Sequence, residues 1–297
     1  MRRFTTEADQ LYQRPGEFAK ITPDGSTLVY VGESDGAPQL FRRSVDEIEA
    51  TPLPGTEFVE VVFLSPDSQW VGFSTRGSIK KMSLSGGPAV TICEEIAARG
   101  ISWGNDGTIV FGSAGGALWR VPDTGGEPEP MTEAPAGFGH VRPFHLPDAK
   151  GLLFTVSSPE DPRIAVLPSG SREPRVLLSG TSPRLTPSGH LVFQRGGALW
   201  GVPFDVDRLD VDGEPVPVIE GVEVTGQGAG QFDIARDGTL IYVPSSAVAG
   251  RRIIWMDRNG GVTTAVEGVY ARSIALAPDG QRIAASVVYD TEFVVSI

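Results

Sequence analysis

The sequence is poor in the residues that most often carry cross-links, metals or proton transfer. Cys93 is the single cysteine in 297 residues, and His140, His145 and His190 are the only histidines. A lone cysteine excludes an intramolecular disulfide and a multi-cysteine zinc site, leaves the redox compartment open, and reads as a buried structural thiol. No histidine stands at i, i+2 or i+4 spacing within a carboxylate motif, so no metal site is read from them. His145 shares its register with Ile21, Leu64, Leu185 and Leu276, which predicts a packed, hydrogen-bonded ring, whereas His190 falls in an exposed turn.

Positive charge is also scarce. Lys plus Arg number 25 against 37 Asp plus Glu, a net charge of -12. This balance opposes the phosphate contacts on which nucleic-acid affinity rests, so nucleic acid is not an expected partner. Long apolar runs are missing too: Val59 to Leu64 and Leu191-Val192-Phe193 fall far short of the roughly 20 residues that cross a bilayer. No membrane insertion by this chain is expected. Met1-Arg2-Arg3-Phe4-Thr5-Thr6-Glu7 has two basic residues but no apolar stretch behind them, so it does not read as a secretory signal, and localisation stays open. There is no Gly-x-Ser-x-Gly elbow for a serine nucleophile.

What the chain does have is Gly, Pro and a repeat. Its 37 Gly and 24 Pro are spread evenly between apolar runs, as many short strands joined by tight turns require. One unit recurs: an apolar run, a turn, then a second apolar run ending in an aromatic. The turns are Pro23-Asp24-Gly25, Pro66-Asp67-Ser68, Asn105-Asp106-Gly107, Pro147-Asp148-Ala149, Pro187-Ser188-Gly189, Arg236-Asp237-Gly238 and Pro278-Asp279-Gly280. Pro presets φ, Asp bonds its own backbone and Gly accepts a left-handed conformation, so each turn joins two antiparallel strands. The third residues of these turns aside, the central Asp (or Ser188) recurs at spacings of 43, 39, 42, 40, 49 and 42, and a mean of about 42 matches a four-stranded propeller blade.

The second strands read Leu28-Val29-Tyr30, Trp70-Val71-Gly72-Phe73, Ile109-Val110-Phe111, Leu152-Leu153-Phe154, Leu191-Val192-Phe193, Leu240-Ile241-Tyr242 and Ile283-Ala284-Ala285. They are nearly continuous in hydrophobicity and should be covered on both faces. Third strands follow at Leu40-Phe41, Ile79-Lys80, Leu118-Trp119, Ile164-Ala165, Leu199-Trp200 and Ile254-Trp255, with polar-edged fourth strands such as Ala89-Val90-Thr91 and Arg175-Val176-Leu177. Gly86-Gly87, Gly125-Gly126 and Gly260-Gly261 supply hairpin turns between third and fourth strands. The expectation is an all-β, single-domain propeller over residues 1–297, of about seven four-stranded blades. Only three strands fit in the last copy, so Arg2 to Thr5 is predicted to complete that blade; the other possibility is a chain cut from a longer protein.

The turns and their Leu-Val-Tyr-like strands resemble the Asp-containing propeller repeats of TolB and its relatives, over essentially the whole chain. Arg2-Arg3-Phe4-Thr5, Ile79-Lys80-Lys81-Met82, Ser102-Trp103-Gly104, Gly189-His190-Leu191-Val192 and Val202-Pro203-Phe204-Asp205 are similar to the propeller found C-terminal to bacterial serine/threonine kinase domains. That resemblance implies a sensing or interaction module, in relatives that are often extracytoplasmic. The kinase half is missing: no Gly-rich loop with a strand lysine, no His-Arg-Asp loop and no Asp-Phe-Gly occurs.

Two further segments were weighed for ligands. Asp205 to Glu214 is acidic, but its carboxylates fail the spacing of a calcium loop, and a solvated hairpin accounts for it and for the 49-residue spacing. Gly226-Gln227-Gly228-Ala229-Gly230 is too short, and lacks the following helix, for a dinucleotide site.

Propellers usually bind at the mouth of the channel, where the loops into each innermost strand converge. Seven positions before each turn centre stand Glu17, Glu60, Arg99, Val141, Thr181, Gly230 and Arg272, with Arg142 and Arg184 just inside. Arg99, Arg142, Arg184 and Arg272 could there capture a carboxylate or an acidic peptide through guanidinium forks, with Glu17 and Glu60 on the same rim. The expected function is therefore non-catalytic sensing or protein interaction by a monomer without cofactor, taking a protein or peptide partner or a small molecule. The alternatives are the gating propeller of a prolyl-oligopeptidase-type peptidase, or a propeller hydrolase or lyase with its site at the channel mouth.

Overall fold

The computed structural model describes residues 19–245, apart from 35, 48, 76, 95, 96, 114, 115 and 159, and the backbone of the strands between 252 and 296. By its internal contacts the chain divides into two compact units, Met1–Val243 and Pro244–Ile297.

The first unit holds five four-stranded antiparallel blades, each with its strands in sequence order outward from the centre. Blade I is β1 (Ala19–Ile21), β2 (Thr27–Ser34), β3 (Ala37–Ser44) and β4 (Thr51–Pro52). Blade II is β5 (Val59–Leu64), β6 (Trp70–Thr75), β7 (Ser78–Ser83) and β8 (Val90–Cys93). Blade III is β9 (Ala98–Trp103), β10 (Thr108–Ser113), β11 (Leu118–Pro122) and β12 (Glu129–Pro130). Blade IV is β13 (Gly139–His145), β14 (Gly151–Ser157), β15 (Arg163–Pro168) and β16 (Arg175–Ser179). In blade V, β17 (Thr181–Leu185), β18 (His190–Arg195) and β19 (Ala198–Asp205) are edged by β21 (Val216–Glu220), while β20 (Asp210–Val211) folds back on the end of β19.

Five blades stand where about seven were expected. The sixth turn joins β22 (Phe232–Ile234) to β23 (Leu240–Tyr242) in a sheet of two strands, and this is enough to close the ring. The innermost strands touch in the cycle β1, β5, β9, β13, β17, β22 and back to β1. Arg236 N donates to Pro23 O at 2.8 Å, tying the sixth turn to the first. The expected third and fourth strands of the sixth copy form β24 (Arg252–Met256) and β25 (Val262–Glu267), a two-stranded sheet of the second unit. That unit also holds the three-stranded sheet β26 (Ala271–Leu276), β27 (Ile283–Tyr289) and β28 (Glu292–Ser296). Arg2 to Thr5, Gly260-Gly261 and the turn Pro278-Asp279-Gly280 lie outside the described residues.

The repeat's aromatic is what fills the space between blades. Phe73, Phe111, Phe154 and Phe193, each the fourth residue of a second strand, are the four largest fully buried side chains described. Each contributes about 1.5–3 kcal/mol by leaving water. Among the described residues the one helical element is the 3-10 turn Pro147–Ala149, and no helix is long and apolar enough to cross a membrane. Cys93 is buried at the edge strand of blade II.

Candidate functional site

At the mouth, the innermost strands do not run straight. The ladder slips between Val59 and Val61, opposite Phe111 and Ser113 in blade III, between Val141 and Phe144, and between Thr181 and Arg184. Such bulges re-aim side chains. Gly100, Arg142 and Ser182 take φ of +83°, +53° and +55° at this height. Glu60 and Arg99 point to solvent, but Val141, Thr181 and Gly230 are buried. Arg142 is turned inward and donates to Gln227 O, so the loop Gly226 to Gly230 lies across this mouth. Thr181 Oγ1 donates to Gly228 O at 3.2 Å and Gly230 N to Ser182 Oγ at 3.1 Å, which fasten the same loop. Glu17, and the side chain of Arg272 on β26, lie outside the described residues.

Arg184 is buried deeper. Its Nε donates to Asp233 Oδ1 at 2.9 Å, its Nη1 donates to Pro183 O, and its guanidinium lies 5.6 and 5.9 Å from the rings of Phe144 and Phe232. Lys20 Nζ stands 3.8 Å from the same carboxylate oxygen. The guanidiniums of Arg142 and Arg184 are thus committed to contacts that hold the ring together, and the structure does not bring them together with Arg99 on an open rim.

The opposite end of the channel, roughly 20 Å away at about 3.3 Å per strand residue, is where the Pro-Asp-Gly turns gather. The first two turn centres are held within their own turns. Asp24 Oδ1 accepts from Thr22 Oγ1, Ser26 N and Ser26 Oγ, and Asp67 Oδ1 accepts from Ser65 Oγ and Gln69 N. The Thr22 hydroxyl holds the Asp24 carboxyl below the usual carboxylate range, and the Ser65 hydroxyl does the same for Asp67. Asp24 N donates across to Ser68 Oγ at 3.2 Å, joining the first two turns.

Two clefts open on this turn face. One of about 470 Å³ lies among Pro23, Asp24, Pro66, Asp67, Arg236 and Asp237. The other, of about 500 Å³, is lined by Asp67, Trp70, Lys81, Trp103, Asn105, Asp123 and Arg236. Pro66, Asp67 and Arg236 belong to both, so the clefts adjoin. Arg236 reaches from the sixth turn to the third, where its Nη2 donates to Asn105 Oδ1 at 3.1 Å. Lys81 Nζ sits between two indoles, 5.3 Å from Trp70 and 5.2 Å from Trp103. Trp103 Nε1 donates to Asp123 Oδ2 at 3.2 Å. An exposed cation, a framed cation, indole surface and carboxylates in one depression can seat a polar group with an apolar flank.

The sequence pattern points to candidates at the mouth and does not single out Trp70, Lys81, Trp103 or Arg236. A usable signal was present: Trp70 lies three residues after its turn centre and Trp103 three before its own, so neighbouring blades put both beside the turns.

Each of the three histidines has a hydroxyl partner at Nδ1. His145 Nδ1 lies 2.8 Å from Ser102 Oγ, His140 Nδ1 2.7 Å from Thr132 Oγ1, and His190 Nδ1 3.1 Å from Ser188 Oγ. Ser102 Oγ also accepts from His145 N at 3.1 Å, so this pair stitches β9 to β13. Burial pushes the His145 imidazole down to about 4, against the opposing pull of Asp106, and pushes His140 down as well. The acidic hairpin is balanced by its own Arg208 and by two cations of blade IV: Asp205 binds Arg208, Asp207 binds Lys150 and Asp210 binds Arg175. Among the described residues no group of three or more His, Cys, Asp or Glu is placed to hold a metal ion.

No family model and no curated protein matches this chain in sequence. Solved structures do match in fold. TolB from Acinetobacter baumannii superposes with a TM-score of 0.54 at 17% identity, over 72% of this chain and 55% of that one, so the match spans about half of that relative's length. A TolB candidate from Agrobacterium tumefaciens gives 0.57 at 18% identity over 77% of this chain and 90% of that one. An oligogalacturonate lyase in complex with manganese gives 0.56 at 16% identity, over 89% and 83%. The chain has a TolB-like β-propeller fold. A lyase shares that fold, so the fold by itself does not select a function.

Proposed function

We propose that this chain is a recognition module that binds a partner protein or peptide at the turn face of its ring and carries out no reaction on it. The observation that carries this reading is the pair of adjoining clefts sharing Arg236, one of them floored by Trp70 and Trp103 around Lys81. Trp and Arg are the residues most enriched at the energetic centres of interfaces, because they offer large contact area and several donors. The net charge of -12 keeps the rest of the surface soluble and disfavours indiscriminate anion binding. The lyase neighbour supports a catalytic alternative, but neither turn-face cleft is lined by an imidazole or a thiol.

The test compares three baits in affinity capture from a bacterial lysate: the wild type, a turn-face variant (Trp70→Leu with Arg236→Glu) and a mouth variant (Glu60→Arg with Arg99→Glu). A protein retained by the wild type and the mouth variant but lost by the turn-face variant is the expected result. Loss confined to the mouth variant would overturn the assignment to the turn face.

A further inference from the structure

We infer that the larger turn-face cleft is a carboxylate site, in which Lys81 and Arg236 close on a carboxylate of the partner while an apolar group beside it lies on Trp70. This rests on the recognition reading above and names the chemistry of the group recognised.

The argument is one of unspent donors. Among the described residues no oxygen accepts from Lys81 Nζ, which lies over the two indole rings. The rings stabilise the ammonium electrostatically, yet they replace none of the strong oxygen acceptors it has in water. Arg236 is exposed, and of the five N–H donors a guanidinium carries it spends one, on Asn105. That bond and the backbone bond from Arg236 N to Pro23 O hold the side chain over the cleft.

The cleft's own carboxylates do not meet this demand. Asp67 Oδ1 is turned to Ser65 and Gln69 within its own turn, and Asp123 Oδ2 accepts from the Trp103 indole. Neither forms an ion pair with Lys81 or Arg236 among the described residues. The cleft therefore has donors that its own carboxylates do not engage, which favours a ligand that brings oxygens with negative charge.

The overall charge of -12 decides what kind of anion. At about 0.1 M salt the Debye length is about 10 Å, so distant carboxylates are screened and the local pair of cations governs a single charge. A polyanion extending beyond the cleft would meet Asp24, Asp106 and Asp237 on the same face. One carboxylate next to an apolar residue fits; an acidic run does not. A C-terminal carboxylate and a lone Asp or Glu side chain share this chemistry.

The indole N–H signals of a nitrogen-15-labelled protein read the site directly, since the chain has five Trp, and Trp70→Phe and Trp103→Phe variants assign the two that matter. The probes are N-acetyl-Gly-Phe with a free carboxylate, its C-terminal amide, and N-acetyl-Asp-Phe-amide. The expected result is a saturable shift of the Trp70 and Trp103 signals with one or both carboxylate probes and none with the amide. Binding should weaken about tenfold or more in Lys81→Met and in Arg236→Gln. Lys81→Met keeps the stem between the indoles, and Arg236 is exposed, so the second variant reports even if the first disturbs packing. Which carboxylate probe binds tells a chain terminus from a side chain. Equal shifts from the amide, or unchanged binding in both variants, overturn the carboxylate site. If both carboxylate probes fail while partner capture still depends on Trp70 and Arg236, the carboxylate inference falls alone; if capture does not depend on them, the recognition reading falls with it.

Discussion

Arg184 and Asp233 stand 49 residues apart in sequence and 2.9 Å apart in space, Nε to Oδ1, at the point where the last innermost strand meets the ring. Asp233 also accepts from Ile21 N at 3.3 Å and lies 3.8 Å from Lys20 Nζ. One carboxylate on β22 therefore engages β17 on one side and β1 on the other. Both cations are buried, at 5% exposure each. In that setting the pair's worth lies in the penalty for breaking it, because a buried charge without its counter-ion has no water to fall back on.

Asp233→Leu should accordingly destabilise the first unit by about 3–5 kcal/mol, because two buried cations lose the carboxylate they share. Replacing the whole group, with Lys20→Met, Arg184→Met and Asp233→Leu together, should recover most of that loss, since the desolvation cost disappears along with the attraction. Urea midpoints of the two variants check this. A triple variant no more stable than the single one would mean that Asp233 acts through packing and not through charge.

The partly buried imidazole of His145 gives the fold a pH dependence whose sign follows from its lowered pKa. Its folded value of about 4 lies below the ordinary 6.5, so the unfolded chain takes up the proton first as pH falls. Stability is fully present above pH 6.5 and is lost as pH drops from there towards 4, by on the order of 3 kcal/mol. His140, lowered by burial as well, acts in the same sense. Urea midpoints between pH 4 and 7 should rise with pH, and His145→Asn should flatten that rise. An equally steep rise in the variant would assign the effect to other groups.

Gly100 is fixed by its surroundings twice over. Its φ is +83°, and a Cβ added there would stand 2.6 Å from the backbone Cα of Arg142 on the neighbouring blade. Gly100→Ala combines a left-handed strain of about 1–2 kcal/mol with a clash against main chain. The expected loss is about 2–4 kcal/mol in thermal or urea unfolding. A loss below about 0.5 kcal/mol would show that β9 and β13 can separate locally at no cost.

The strands are legible because each is announced by local chemistry: a Pro-Asp-Gly-like turn, then an apolar run carrying an aromatic such as Phe73 or Phe154. The blade number is not, because a turn reports one hairpin and is silent on which sheet that hairpin joins. Arg236-Asp237-Gly238 heads only β22 and β23, yet Asp233 lets that short sheet close the ring. The inward turn of Arg142 and Arg184 is hidden for a related reason: their position in the repeat puts them at the mouth, but a bulge at that height turns them inward. One signal could have warned of this: Lys20, Arg184 and Asp233 all stand four residues before their turn centres, so opposite charges share one register in the first, fifth and sixth repeats. The turn-face cleft needs blades II, III and the sixth turn side by side, which no single repeat encodes.

Cys93 offers a probe of how blade II opens. Its thiol is 4% exposed and burial pushes its pKa up to about 11, so at pH 8 both access and thiolate are denied to a reagent. A disulfide reagent should leave the native protein unmodified over the time in which it titrates one thiol in urea. Because β8 is the outermost strand of its blade, the slow native reaction measures how often that edge detaches, and not the stability of the whole unit. Asp233→Asn, on an innermost strand with blade I between it and blade II, should then leave the labelling rate nearly unchanged while lowering the urea midpoint. If labelling accelerates in proportion to the loss of global stability, β8 opens only when the ring does, and the first unit unfolds as one cooperative body.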